Sequence, residues 1–255
     1  MTFKLEETAK KCAEMIEGAG RIAMLSGAGM STAAGIPDFR GPNGFYSVVK
    51  IPNPERIFEI STFREDPSLF YKHGRGLFDK IRDVEPTLGH KFFAALENKG
   101  KMAGIVTQNI DALHQRAGSR NVLEIHGGIW DTYCTGCNKL FDYDTATAKI
   151  IAEEVPHCEE CGGVLKPDVV FFGEAVKRLE DCQALARSAD LFFVVGSSLI
   201  VTPAALLPMM TSAPIVVVHK GEISSAYLPR RRVELFADEY IDAFFSAVDN
   251  YLKLL

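Results

Sequence analysis

The apolar residues of this chain are gathered into short runs, and that grouping limits its fold more than any other feature. Residues 22–25, 103–106, 122–125, 169–172, 191–195 and 215–218 are rich in apolar side chains and have strand length. Several are separated by helix-length polar or amphipathic segments. A strand that is apolar along its whole length needs cover on both faces, and alternation with helices supplies it. The pattern predicts an α/β fold with a doubly wound, parallel, Rossmann-like sheet. Ahead of the first run, Leu5, Ala9, Cys12 and Ile16 recur at helical spacing, and Gly18 and Gly20 close that helix. After Asp238, the stripe Ile241, Phe244, Phe245, Val248 and Leu252 predicts a last helix whose apolar face is core packing.

Two stretches depart from this alternation. Residues 52–100 read as several helices with many Phe and Leu, broken at Pro67 and Pro86, and residues 130–167 hold paired cysteines and few strand signals. A chain of 255 residues can carry one large domain and a small satellite. The expected organisation is one catalytic domain over residues 1–255. Its Rossmann-like part comprises 1–50, 101–129 and 168–255; its small domain is built from a helical insertion, 51–100, and a zinc-binding insertion, 130–167. The active site is expected in the groove between the two parts.

Cys134, Cys137, Cys158 and Cys161 form two CxxC pairs with 20 residues between them, the spacing of a zinc ribbon. Four thiolates fill a tetrahedral shell, so the implied Zn2+ is structural and has no open position for chemistry. His157 then reads as a surface residue, and the unpaired Cys12 and Cys182 as core. The charged N-terminal residues do not resemble a secretory signal, and no apolar run approaches the roughly 18 residues of a membrane span. A cytoplasmic protein is expected. With 28 Lys and Arg against 33 Asp and Glu, a net charge of -5 gives no reason to expect nucleic-acid or membrane partners.

The first strand runs into Ser26-Gly27-Ala28-Gly29-Met30-Ser31, a glycine turn that can bring backbone N–H groups to a pyrophosphate, with a helix expected to follow. An acidic residue about 20 positions on would hold a dehydrogenase ribose, but a loop, residues 41–47, stands there. Ordinary hydride transfer is disfavoured. Three further clusters follow strand candidates or the glycine turn: Asp38-Phe39-Arg40, Gln108-Asn109-Ile110-Asp111 and His126-Gly127-Gly128. Each has a plain structural reading as a loop ion pair, a helix cap or a satisfied polar residue. Together they fall where open α/β sheets bind ligands.

In order along the chain, Gly-Ala-Gly-Met-Ser from Gly27, Gly-Ile-Pro-Asp-Phe-Arg-Gly from Gly35, Thr-Gln-Asn-Ile-Asp-x-Leu-His from Thr107 to His114, Ile-His-Gly from Ile125, the Cys pairs, Pro-Asp-Val-Val-Phe-Phe-Gly-Glu from Pro167 and Gly-Ser-Ser-Leu from Gly196 resemble the sirtuin family of NAD-dependent protein deacylases. The resemblance covers about Arg21 to Pro208. It implies that Gly27, Ala28, Gly29, Ser31, Asp38, Arg40, Gly196, Ser197 and Ser198 bind NAD phosphates and ribose. Gln108, Asn109, Ile110 and Asp111 seat its nicotinamide end, Asn109 with a catalytic role, and Phe39 shields the cleaved face. Val170, Phe171, Phe172, Gly173 and Glu174 receive an acyl-lysine peptide by strand addition. His126, also at the cofactor, is the implied general base on a ribose hydroxyl, for which a side chain with an ordinary pKa of about 6.5 is suited. Products are nicotinamide, free lysine and O-acetyl-ADP-ribose. Protein mono-ADP-ribosyl transfer and a noncatalytic NAD or ADP-ribose sensor are the competing readings.

Two departures have consequences. His219 and Lys220 stand at the adenosine side where many sirtuins carry Asn, and residues 221–232, with Arg230-Arg231-Arg232, form an unusual connection. Sirtuins that prefer acidic acyl groups resemble one another in a Tyr followed three positions later by Arg; here Tyr71 is followed by Gly74, with Arg75 one position on. One helical position turns a side chain by about 100°, so Arg75 is expected to point away and neutral acyl groups to be preferred.

Overall fold

Residues 2–255 of the computed structural model are described, and they form nine strands: β1 (Ile22–Ser26), β2 (Met102–Thr107), β3 (Val122–Glu124), β4 (Gly127–Cys134), β5 (Leu140–Phe141), β6 (Leu165–Val169), β7 (Leu191–Val195), β8 (Ile215–Val218) and β9 (Val233–Ala237). Six of them make a sheet of order β3-β2-β1-β7-β8-β9 in which every pairing is parallel. The chain winds outward one way from β1 and then the other way from β7. That puts the reversal of winding between these two strands, where doubly wound sheets bind ligands. Both strands are wholly buried, as their unbroken apolar composition requires.

This sheet belongs to one compact unit, formed by Met1–Gly35, Glu85–Ile125 and Arg178–Leu255. The helices Thr2–Gly18, Leu88–Asn98 and Ile241–Leu252 contribute Cys12, Ile16, Phe92, Phe93, Phe244 and Phe245 to one core with β1 and β7. Phe93 and Phe245 meet edge to face at 4.9 Å. Each buried ring stabilises by roughly 1.5–3 kcal/mol relative to exposure. The insertion expected over 51–100 is thus divided: Leu88–Asn98 packs into the large-sheet core, because Phe92, Phe93 and Leu96 complete it.

The second unit is Ile36–Val84 with His126–Lys177. It holds the antiparallel sheet β5-β4-β6 and the helices Ile60–Glu65, Ser68–Asp83 and Tyr143–Ala152. Phe58, Phe63, Phe70 and Phe171 form an aromatic cluster with ring separations of 5.1–5.8 Å.

The structure corrects the sequence reading at three places. Residues 169–172 are not a strand of the parallel sheet: β6 ends at Val169 in the antiparallel sheet, and beyond it only Phe172 makes a bridge, to Glu59. The glycine turn continues into the three-residue 3-10 turns Ala28–Met30 and Thr32–Ala34, and no α-helix follows it directly. Gly35, at φ +88°, stops the second turn in a left-handed conformation. Finally, β9 escaped the apolar-run reading because Val-Glu-Leu-Phe-Ala is an edge strand with exposed Glu234 and Phe236. Among the described residues no helix is long and apolar enough to cross a membrane.

Candidate active site

The ends of β1 and β7 come together backbone to backbone. Gly27 N–H donates to Val195 O at 3.0 Å and Gly29 N–H to Gly196 O at 2.9 Å. A Cβ on Gly27 would stand 2.8 Å from Gly196 O, and one on Gly29 2.8 Å from Gly196 Cα. Gly196 has φ +64°, and its Cβ would fall 2.5 Å from Met30 N. Glycine is needed at all three positions because the two turns occupy each other's side-chain space. The short 3-10 turns offer backbone N–H groups to an anion without the macrodipole of a long helix.

After β2, the polar residues predicted as a cluster join this turn through hydrogen bonds. Gln108 Nε2 donates to Ser197 Oγ at 2.7 Å, and Asn109 Nδ2 to Ser31 Oγ at 3.0 Å. Ser31 Oγ in turn donates to Asp111 Oδ2 at 2.6 Å, while Leu113 N–H caps Oδ1 at 2.9 Å. Burial pushes the Asp111 pKa up, and the Ser31 and Leu113 donors oppose that rise. The N-cap of the short helix Leu113–Arg116 is Ala112; Asp111, one residue before it, accepts from the helix's first N–H and also fixes Ser31, which in turn holds Asn109. Ser31, Asn109 and Asp111 are all buried.

Beneath this network lie His90, which sequence reasoning missed, and His114, to which it gave no role. His114 Nε2 is 2.9 Å from Ser26 Oγ, and its ring meets the His90 ring edge to face at 4.7 Å. His90 Nδ1 accepts from Thr87 N–H at 3.2 Å and lies 2.9 Å from Thr87 Oγ1, closing a capping box on Leu88–Asn98. Burial lowers the His90 pKa to about 3 and carries His114 well below its ordinary value, so both rings are neutral near pH 7. The Thr-x-x-His spacing was the available signal for the first; the second closes the Thr-Gln-Asn-Ile-Asp-x-Leu-His motif, which gave it no role.

After β8, His219 Nε2 lies 3.0 Å from Glu222 O, and Lys220 pairs with Asp238 at 3.4 Å. Ser224 N–H donates to Ser198 O at 2.8 Å, which ties the 221–232 connection to the β7 turn.

In the second unit, half-buried His126 occupies the turn that enters β4. Gly127 follows at φ +70°, and a Cβ there would overlap the Asp168 carbonyl oxygen. Only glycine allows β4 to approach β6 so closely. His126 O accepts from Val170 N–H at 2.9 Å. Phe172 N–H donates to Phe58 O at 2.7 Å, and Ile60 N–H to Phe172 O at 3.0 Å, so residues 170–172 are stitched along both edges. Gly173 adopts φ +91°, and Glu174 pairs with buried Lys166 at 3.0 Å. Phe39 packs against Phe58 and Tyr46, each at 5.7 Å. The expected loop ion pair is replaced by two separate contacts: Asp38 accepts from Gly41 N–H at 2.8 Å, and Arg40 lies 3.9 Å from Glu55 and 5.4 Å from the Tyr46 ring centre. Arg75 donates to the carbonyls of Glu153 and Glu154, and the Tyr71 hydroxyl to Leu165 O.

The four cysteine Sγ atoms lie within 4.8 Å of one another. Cys134 and Cys161 are 3.3 Å apart and Cys137 and Cys158 3.8 Å, close to the separation of about 3.8 Å that zinc–sulfur bonds impose on a tetrahedron. Gly136 N–H and Gly163 N–H point at Cys134 Sγ and Cys161 Sγ, at 3.3 and 3.4 Å. A Cβ on Gly163 would sit 2.7 Å from Cys134 Sγ and disrupt the cradle. This donor set fits zinc. His157 is exposed, and Cys12 and Cys182 are buried in the sheet unit, as expected.

A family model described as the Sir2 family matches residues 27–203. An NAD-dependent protein deacetylase of Thermotoga maritima is 41% identical over 204 residues, covering 78% of this chain and 81% of its own. One from Sulfolobus acidocaldarius is 39% identical over 245 residues, covering 93% and 95%. Among solved structures, a Sir2 protein with a deacetylated p53 peptide and 3'-O-acetyl-ADP-ribose superposes with a TM-score of 0.88 at 34% identity, over 96% of this chain and 98% of that one. A Sir2 complex with a p53 peptide and NAD+ gives 0.85 at 34% identity, over 96% and 99%. A Sir2 protein bound to a propionylated peptide also gives 0.85, at 33% identity over 96% and 99%.

Proposed function

The chain belongs to the Sir2 family, and from that premise we propose that it is an NAD-dependent protein-lysine deacetylase, releasing nicotinamide, free lysine and O-acetyl-ADP-ribose. The observation that carries the reading is the buried chain from Asn109 through Ser31 to Asp111 beside the interlocked turns at Gly27, Gly29 and Gly196. A sheet that merely needed tight turns has no use for a buried carboxylate aimed at a serine and an amide.

NAD, when bound, supplies the ribose carbon that parts from nicotinamide and the hydroxyl that takes over the acyl group. Gly27, Ala28, Gly29, Arg40, Gly196, Ser197 and Ser198 bind its phosphates and ribose. Gln108, Asn109, Ile110 and Asp111 hold its nicotinamide end, where orientation supplies much of the rate. Asp38 shapes the turn that carries Phe39 and Arg40, and Phe39 covers the reacting face against water. His126 holds the proton taken from the ribose hydroxyl. Residues 170–174 bind the acyl-lysine peptide as an added strand. His219 and Lys220 contact the adenosine. Glu222 O, 3.0 Å from His219 Nε2, would orient the ring for that contact. Cys134, Cys137, Cys158 and Cys161 hold a structural zinc. The Arg75 guanidinium is spent on two backbone carbonyls, which supports a preference for neutral acyl groups. Four cysteines clustered for a metal and two buried singly fit a cytoplasmic setting.

Incubation with NAD and an acetyl-lysine peptide, followed by mass analysis of peptide, protein and nucleotide, tests the reading. Deacetylated peptide supports it. Ribosylated protein would identify a transferase, and NAD left intact would identify a sensor.

A further inference from the structure

Lys166 is a lysine in a place that ordinarily excludes one. It lies in β6 directly opposite Tyr133 of β4, and its side chain is 2% exposed. On the neighbouring position, Leu165 packs into the cluster with Cys134, Phe141, Ala146 and Cys158. Alternation along the strand therefore turns Lys166 to the opposite face of the small sheet. There its Nζ donates to Val169 O at 2.7 Å and to Glu174 Oε2 at 3.0 Å, and stands 4.1 Å from the centre of the Phe171 ring. Glu174 Oε2 also accepts from Phe171 N–H at 2.8 Å. One ammonium thus closes a circuit through Val169, which immediately precedes the segment read above as the peptide wall, and through Phe171 and Glu174 within it. The next link, Val170 N–H to His126 O, leads from that circuit to the backbone of the proposed general base.

Burying a lysine costs free energy unless its charge is used, and here packing alone does not hold it. A cavity of about 230 Å³ lies alongside, lined by Lys166, Tyr133, Asp168, Val169, Glu174 and Lys177. The segment has room to relax into that space once the cation no longer fastens it. Lys177, which pairs with Asp168, cannot substitute, since its partner lies on the other side of Val169 in sequence and neither group reaches the Phe171 backbone by any contact seen here.

We infer that Lys166 is a positioning residue, an internal cation whose bonds to Val169, just before the wall, and to Glu174, at its end, set the shape of residues 170–174 for the incoming acyl-lysine peptide. The inference rests on the reading of that segment as the peptide wall. It also gives Glu174 a defined role, as the relay between the ammonium and the Phe171 N–H.

The test compares wild type with Lys166→Met, Lys166→Gln and Lys166→Arg, measuring KM separately for an acetyl-lysine peptide and for NAD, together with zinc content and melting temperature. Each neutral variant leaves the half-buried Glu174 carboxylate without its cation, and the peptide KM should rise about tenfold or more while the KM for NAD stays within about twofold. Lys166→Arg keeps a cation that can bond the same acceptors and should return the peptide KM to within about threefold of wild type. A neutral variant with the wild-type peptide KM overturns the inference. So does an equal change in both KM values, an Arg variant no better than Met, or zinc loss and unfolding in every variant, each of which makes Lys166 merely structural. Failure of the wild-type protein to deacetylate at all would instead overturn the functional reading on which the inference rests.

Discussion

His90→Gln should flatten the acid sensitivity of the sheet unit. His90 is wholly buried, its Nδ1 accepts from Thr87 N–H, and burial lowers its pKa from 6.5 to about 3. The unfolded chain takes up a proton below its ordinary pKa, whereas the native protein refuses it until about pH 3. Protons therefore favour the unfolded state throughout that window, and stability present above pH 6.5 is lost as the pH falls. Between about pH 7.5 and about pH 5.5 one such histidine removes about 1.4 kcal/mol. His114, shifted in the same direction, adds to the loss. Glutamine does not titrate, yet its carbonyl can replace Nδ1 as the acceptor at the third helical position, where Gln is a natural capping-box residue. The variant sacrifices ring packing against His114 and should be less stable than wild type at neutral pH, but its stability should fall less with acid by about 1.4 kcal/mol over the same window. Urea unfolding at several pH values, followed by far-ultraviolet circular dichroism, measures both. Trp130 fluorescence does not serve, because the only tryptophan lies in the second unit. Thiolate protonation and zinc release occur in both proteins and cancel in the comparison. Parallel stability curves for wild type and variant would refute the argument that His90 is held neutral by burial.

Three further outcomes are expected. Cys134→Ser or Cys161→Ser should lower zinc content, loosen the second unit and reduce activity, since a closed zinc site contributes folding free energy; zinc content with a protease-susceptibility assay checks this, and a zinc-free variant of equal stability would contradict it. His126→Ala should slow deacetylation on the order of a hundredfold or more while exchange of labelled nicotinamide into NAD persists, because the base acts only after the first bond breaks; undiminished deacetylation would make His126 structural. Acetyl-lysine should be processed with a higher kcat/KM than succinyl-lysine in one peptide context, because Arg75 is committed to the Glu153 and Glu154 carbonyls; a clear succinyl preference would show that this or another cation reaches the acyl group.

What the sequence reveals and conceals follows from the range of each signal. Strands β1, β7 and β8 are legible because burial on both faces demands continuous apolar residues, and the zinc site because its ligands come in local pairs. Edge strand β9 is not, since one exposed flank permits Glu234 and Phe236 to break the run. Amphipathicity announces that Leu88–Asn98 is buried but not on what, so its membership of the sheet unit needed the fold. The residues of the glycine turn and Gln108–Asp111 could be named in advance because each follows a strand, and Gly196–Ser198 through the family resemblance; their joining through Ser31 and Ser197 could not, because those bonds span more than 75 residues of chain. Similar separation hides the pairing of Ser26 with His114, and even the 24 residues between His90 and His114 carry no local sign that the two rings meet. Lys166 is eight residues from Glu174, yet nothing in Leu-Lys-Pro-Asp shows that the lysine turns inward.

The central claim, that this chain moves an acyl group from lysine to the ribose of NAD, is tested most directly by following the acyl carbon itself. A peptide whose acetyl group carries a carbon label is incubated with NAD and the wild-type protein, and the label is traced by mass spectrometry. The account predicts labelled O-acetyl-ADP-ribose in equal amount with free-lysine peptide and nicotinamide. Label released only as acetate from the outset, or retained on the peptide while ADP-ribose accumulates on protein, would contradict it.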